Sequence, residues 1–266
     1  IARRYRVPQT SVVSAVGASM ANYMALAATT EPGDEILVEH PAYEPLVNSA
    51  RYLGLRITYF ERPAESNFVI DLAELARKLT PRTRVIAITN LHNPRGALTP
   101  DSTLREIATM ANEAGALIMV DEVYREMLFE AEPQTAFHLD PERFVITNSL
   151  TKAYGLSGLR CGWILAPPAV TERVWHINDL HGATFAHTAE LLSVIAFEKL
   201  PQISAKAKAM LDTNRALLKE VLAAHTDLLE YFWPEYGTVV FPRLRNGSAD
   251  DFCEFLRKDF ETSVVP

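Results

Sequence analysis

The sequence predicts an α/β fold in which helices flank a mostly parallel central sheet. Five short runs rich in Val, Ile and Leu are typical of strands buried on both faces: residues 36–38, 85–89, 117–120, 144–148 and 162–166. Helical stretches separate these runs, and strands that alternate with helices need crossover connections, which make a sheet mostly parallel. The length of 266 residues predicts one large domain with part of a second.

The first elements can be assigned in chain order. Residues 11–16 are expected to form a strand that leads into a helix beginning near Met20. Asp71 is a suitable N-cap for the helical spacing of apolar side chains in residues 72–79. Thr99-Pro100-Asp101 marks the start of the next amphipathic helix in the same way, since proline favours the first turn.

The last part of the chain is mostly helical and contains one long helix at residues 202–224. A helix of this length usually bridges two lobes or lines an interface. A strand at 238–241 and a helix at 250–260 follow, which is too little for a separate domain. We therefore expect a large domain over residues 1–200, and an interdomain helix with an incomplete small α/β domain over residues 201–266.

The composition excludes several classes of protein. Hydrophobic residues make up 48% and charged residues 22%, as in a globular chain rather than a disordered one. The net charge of −7 argues against nucleic-acid binding, and no apolar run is long enough to cross a membrane. Cys161 and Cys253 form neither a disulfide framework nor a metal site, which favours a cytoplasmic location. Because the chain opens on Ile1 without Met and stops just after a predicted helix, we expect a fragment.

The clearest chemical signal lies in residues 149–162. Lys152 follows a buried strand among small residues, where partial desolvation would favour its neutral, nucleophilic amine. Ser149 and Arg160 could grip one anion, the hydroxyl by hydrogen bonds and the guanidinium by a bidentate pair. A lysine nucleophile beside a phosphate grip indicates pyridoxal 5'-phosphate as the cofactor.

Two further segments have the chemistry that this cofactor requires. Asp121 ends a predicted strand, at the edge where ligands bind in open α/β sheets. A carboxylate facing a pyridine nitrogen keeps that nitrogen protonated, so the ring can accept electrons; the alternative is a helix cap. If a short helix starts there, Tyr124 lies one turn away and faces the same ligand. Gly17-Ala18-Ser19 precedes a predicted helix, whose free N–H groups favour an anion.

In order along essentially the whole chain, these segments resemble the fold-type I, aspartate-aminotransferase-like (class I and II) family of pyridoxal-phosphate enzymes. The resemblance implies a PLP-transferase-like large domain and a homodimer with active sites at the subunit interface. Its motifs are Gly17-Ala18-Ser19, Pro32-Gly33-Asp34, Pro41-Ala42-Tyr43, Asn90-Leu91-His92-Asn93-Pro94-Arg95-Gly96, Asp121-Glu122-Val123-Tyr124 and the lysine segment at 149–162.

The resemblance also implies roles for single residues around the cofactor ring. Lys152 would form the Schiff base, and Asp121 would face the ring nitrogen. Tyr124 and Asn93 would share hydrogen bonds to the phenolic oxygen of the cofactor. Tyr43 would stack on the ring, where flat aromatic contact fixes its tilt.

At the phosphate, the family pattern implies a cup made of backbone and side-chain donors. Ala18 and Ser19 would contribute backbone N–H groups, and Ser149 and Arg160 would complete the cup.

The predicted function is an aminotransferase that moves an amino group between an amino acid and a 2-oxo acid. The same constellation serves lyases, decarboxylases and cyclising synthases, because the pocket chooses which bond the cofactor helps to break. In the family, the arginine that grips the substrate carboxylate lies past the equivalent of Pro266, so this choice stays open. Two other hypotheses are the ligand domain of a transcription regulator and an inactive lobe that binds the cofactor weakly.

Overall fold

The computed structural model describes residues 1–130 and 132–265. Among these residues the main sheet has seven strands: β1 (Val12–Val16), β2 (Glu35–His40), β3 (Arg56–Glu61), β4 (Thr83–Thr89), β5 (Leu117–Asp121), β6 (Phe144–Ser149) and β7 (Cys161–Leu165). They lie in the order β1-β7-β6-β5-β4-β2-β3. β7 runs antiparallel to both of its neighbours, and the other neighbouring pairs are parallel. The predicted α/β class with a mostly parallel sheet is confirmed.

The helices of the described ranges connect and cover these strands. They are α1 (Ala2–Tyr5), α2 (Gly17–Thr29), α3 (Glu44–Tyr52), α4 (Leu72–Lys78), α5 (Asp101–Ala114), α6 (Pro168–His181), α7 (His187–Glu198), α8 (Leu200–Ala224) and α9 (Ala249–Asp259). Asp71 caps α4 as predicted, since its side chain accepts hydrogen bonds from the N–H groups of Ala73 and Glu74. No helix of the described residues combines the length and the apolar character that crossing a membrane requires.

Two hydrophobic cores cover the two faces of the sheet, because successive residues of a strand point to opposite sides. On β5, Ile118 and Val120 pack into one core and Met119 packs into the other. On β6, Ile146 packs into the first core and Val145 packs into the second. Burial from both sides explains why the central strands are continuous apolar runs in the sequence.

The carboxyl ends of three parallel strands meet at one edge of the sheet. Thr89 pairs with Asp121, and Asp121 pairs with Thr147, so β4, β5 and β6 end at nearly the same level. β1 ends at the same edge, and α2 begins directly after it at Gly17. One helix start and three strand ends therefore face a common space, which is where open α/β sheets bind ligands.

The structure differs from the sequence-based expectations at three elements. Helix α2 begins at Gly17 instead of Met20, so residues 17–19 form its first turn. The sequence did not predict β3, because this edge strand is mostly half-exposed and lacks a continuous apolar run. The predicted strand at 238–241 is wrong, and a short antiparallel pair, β8 (Leu229–Glu230) and β9 (Arg243–Leu244), flanks that segment instead.

Candidate active site

A cavity of about 190 Å³ lies at the carboxyl edge of the sheet. All nine predicted site residues line it, although they come from five separate segments of the chain. These residues are Ala18, Ser19, Tyr43, Asn93, Asp121, Tyr124, Ser149, Lys152 and Arg160. A larger hollow, about 570 Å³, lies beside the first residues of the chain, but the groups with the predicted chemistry lie in the smaller cavity.

Asp121 is buried, with 2% of its surface exposed, at the last position of β5. Its Oδ2 accepts a hydrogen bond of 2.7 Å from Asn22 Nδ2, and its Oδ1 accepts one of 3.0 Å from the N–H of Val123. Burial raises the pKa of Asp121, while these donors and the ammonium of Lys152 oppose that rise. The carboxylate is therefore costly to keep ionised unless a positive partner lies beside it.

Tyr124 lies in a turn directly after β5, not in a helix as expected, and still reaches the same cavity as Asp121. Burial is the main cause that raises the pKa of Tyr124 to about 12, and the charge of Asp121 adds to it. Its hydroxyl is therefore protonated at neutral pH and able to donate.

Lys152 lines the cavity, with its Nζ 6.0 Å from the centre of the Tyr124 ring. The expectation that this lysine is partly desolvated is wrong, since its side chain is exposed. Lys152 lies in the turn after β6, and the residues of that turn that point into the core are Ala153 and Tyr154.

Small residues allow the anion-binding end of the cavity to form. Gly17 has φ of 77°, and a Cβ there would collide with the guanidinium of Arg160. At Gly162, which pairs with Ser149 across β6 and β7, a Cβ would come within 2.8 Å of Gly17 backbone atoms. The first turn of α2, Ser149 and Arg160 are thereby brought together. The free N–H groups of that turn provide the positive end of a helix dipole.

Tyr43 and Asn93 come from two loops that border the cavity. Tyr43 immediately precedes α3, and its hydroxyl is 3.4 Å from Ser19 Oγ. Asn93 is held by its backbone, because its N–H donates to Thr89 Oγ1 at 2.8 Å. Both side chains line the cavity.

Sequence reasoning missed three polar residues that support this site. Thr89 lines the cavity itself at the end of β4. Asn22 is buried in α2 and joins two strand ends. Its Oδ1 accepts a hydrogen bond from Thr147, and its Nδ2 donates to Asp121. A single asparagine among the apolar residues of α2 was the available signal, since buried polar groups need partners. In the described ranges, no group of three or more His, Cys, Asp or Glu is arranged to hold a metal ion.

The chain matches known proteins over its whole length. A profile of the family described as aminotransferase class I and II matches residues 1–266. An arginine–pyruvate transaminase from Pseudomonas aeruginosa is 32% identical, and the match covers 100% of this chain and 70% of that protein. A capreomycidine synthase from Streptomyces vinaceus is 29% identical, over 96% of this chain and 66% of that protein.

Structural comparison gives the same family. The crystal structure of a PLP-dependent aminotransferase from Streptococcus suis has a TM-score of 0.89 and 28% sequence identity, covering 97% of this chain and 68% of that one. The chain therefore spans about two thirds of the length of these relatives.

Proposed function

We propose that this chain, which belongs to the aminotransferase class I and II family, works as a pyridoxal-phosphate-dependent aminotransferase on an amino acid and a 2-oxo acid. The membership confirms the resemblance drawn from the motifs. The main support for the activity is that Lys152 and Asp121, 31 positions apart in sequence, line the same cavity with an anion cradle.

The residues of the cavity fit pyridoxal phosphate. The first turn of α2, Ser149 and Arg160 offer donors for a phosphate, and glycine at position 17 leaves room for the Arg160 guanidinium beside that turn. The buried Asp121 needs a cationic partner, which a protonated ring nitrogen provides. Tyr124 is a donor suited to a phenolic oxygen, together with Asn93.

When bound, this cofactor supplies an electron sink for the carbanion at the substrate α-carbon. Lys152 would hold the aldehyde carbon covalently through Nζ. Once an amino acid takes its place there, the freed amine at Nζ would move a proton away from the substrate α-carbon. Asp121 would maintain the positive charge on the ring nitrogen, and Tyr43 would keep the ring flat against the pocket.

Replacing Lys152 by Ala tests this assignment. We expect the Lys152→Ala variant to lose the absorbance of lysine-bound cofactor and all measurable transamination, since Lys152 is the lysine that lines the cavity. Lys206→Ala, which removes an exposed lysine from α8, is the matched control and should behave as the native chain does. The assay adds pyridoxal phosphate and then screens amino-acid donors with 2-oxo-acid acceptors. Normal transamination by Lys152→Ala would contradict the proposal.

A cyclising synthase is the second candidate, because the capreomycidine synthase aligns over nearly the whole chain. The same screen separates the two. Release of a 2-oxo acid from the donor supports transamination, whereas a cyclic amino acid without oxo-acid release supports cyclisation. Absence of turnover with normal cofactor binding would instead favour the ligand domain of a regulator.

We further infer a homodimer. The support is that helices α7 and α8 leave several large apolar side chains exposed, since many such side chains on one pair of helices favour contact with another protein surface. These residues are Leu191, Leu192, Val194, Ile195, Met210, Leu217 and Val221. Sedimentation of the purified chain tests this inference. The division into domains at residues 200 and 201 and the cytoplasmic location remain predictions.

A further inference from the structure

An ion pair buried beside the active-site cavity has no part in the chemistry described above. Glu39 on β2 and Arg62, which follows β3, are each 1% exposed, and Arg62 Nη1 donates to Glu39 Oε2 at 2.5 Å. Removing two charges from water is costly, so a buried pair contributes little net stability. The pair instead matters because it holds neighbouring groups in position.

Glu39 holds the start of the loop that contains Asn93. Its Oε1 accepts hydrogen bonds of 2.6 Å from both the N–H and the Oγ1 of Thr89. Thr89 Oγ1 in turn accepts the N–H of Asn93 at 2.8 Å. The orientation of the threonine hydroxyl is therefore fixed, because its one proton goes to Glu39 and its lone pair receives Asn93.

Arg62 holds the end of the same loop. Its Nη2 donates to Thr99 Oγ1 at 3.4 Å, and its Nε donates to the carbonyl of Phe68 at 2.6 Å. Thr99 and Asn90 also close the loop on each other through two hydrogen bonds of 3.1 Å. Glu39 therefore holds the start of residues 90–99 through Thr89, and Arg62 holds their end through Thr99.

The loop also contacts the segment that carries Tyr43. His92 Nε2 is 3.0 Å from the carbonyl oxygen of Pro41, two residues before Tyr43. Burial is the main cause that lowers the pKa of His92 to about 4, so its ring is neutral at physiological pH. A neutral ring can donate from Nε2 to this carbonyl without adding charge beside Glu39, whose Oε2 is 3.9 Å away.

We propose that the Glu39–Arg62 pair is a positioning element, which fixes residues 90–99 so that Asn93 and Tyr43 face the ring of the bound cofactor. The pair does not line the cavity and acts through Thr89, Thr99 and His92. This inference rests on the proposed function, since it concerns the same site.

The test breaks the link at Thr89 and compares it with an equivalent link at the far end of the same two strands. Thr89→Val removes the hydroxyl that joins Glu39 to Asn93. Thr83→Val is the matched control, because buried Thr83 Oγ1 donates to Glu35 Oε1 at 2.7 Å in the same way. The measurements are the dissociation constant for pyridoxal phosphate and the pH midpoint of the absorbance of bound cofactor.

We expect Thr89→Val to weaken cofactor binding about tenfold, which corresponds to about 1.4 kcal/mol, because the N–H of Asn93 loses its acceptor. The pH midpoint should also rise, since Asn93 no longer faces the phenolic oxygen. Thr83→Val should leave the dissociation constant and the pH midpoint unchanged. It should lower thermal stability about as much as Thr89→Val does, because each variant loses one buried hydrogen bond to a glutamate. Thr89→Ser restores the hydroxyl and should restore both values.

The outcomes separate this inference from the proposed function. Equal behaviour of Thr89→Val and Thr83→Val would overturn the positioning role while the native chain still binds the cofactor. Failure of the native chain to bind pyridoxal phosphate would overturn both. If Thr89→Val does not fold, Arg62→Lys provides the measurement, because it keeps the charge but cannot donate to Thr99 and Phe68 together. An unchanged midpoint in that variant would refute the proposal.

Discussion

Replacing Asp121 by Asn separates the charge of this side chain from its shape. Asn22 cannot rotate to adapt, because its Oδ1 already accepts a hydrogen bond from Thr147 and its Nδ2 must point at position 121. An asparagine there has one oxygen for two donors, Asn22 Nδ2 and the N–H of Val123. One of these buried donors therefore loses its acceptor.

The two losses have different magnitudes. An unsatisfied buried donor costs about 1–3 kcal/mol of the free energy of unfolding. The lost charge costs more during catalysis, since two unit charges about 4 Å apart interact by roughly 4 kcal/mol at an effective dielectric of about 20. At about 1.4 kcal/mol for each factor of ten, this corresponds to a rate about a thousandfold lower. In Asp121→Asn, the activation free energy of the reaction should therefore rise by more than the free energy of unfolding falls.

Turnover with saturating cofactor and urea unfolding measure the two effects separately. Glu122→Gln is the matched control, because Glu122 is buried next in sequence, accepts from the N–H of Ala136 and does not line the cavity. It should keep turnover within a few-fold of the native value. Turnover of Asp121→Asn within tenfold of the native value would refute the assignment of this carboxylate to the ring nitrogen.

Two further predictions follow from burial and backbone geometry. Burial raises the pKa of Glu122 from 4.5 to about 7, so its contribution to stability is complete below pH 4.5 and is lost as the pH rises through 7. Urea unfolding at several pH values should show this decline in the native chain and not in Glu122→Gln. Gly17→Ala should weaken cofactor binding at least tenfold, because the new Cβ displaces the Arg160 guanidinium. Gly33→Ala, also at positive φ but in open space, should lower stability without changing cofactor affinity, as titration would show.

Much of the fold was predictable because burial leaves a local pattern. The central strands are buried on both faces and are therefore continuous apolar runs, whereas the edge strand β3 has a mixed pattern and was missed. Tyr43 and Asn93 were predicted from the family resemblance alone, whereas the other site residues also had a local signal, such as a strand end, a helix start or a charge among small residues. Thr89 was missed since a threonine that ends a buried strand has no distinctive local signal.

The sequence by itself determined the α/β class and the order of the central strands along the chain, because these depend on local patterns of polarity, and the family motifs predicted nine residues that line one cavity. Only the tertiary structure decided how those residues are supported. Asn22 meets Asp121 across 99 positions, and Glu39 meets Thr89 across 50. Such contacts depend on how helices and strands pack in space, and a sequence pattern contains no distance between segments. For the same reason the exposure of Lys152 could be seen only in the folded chain.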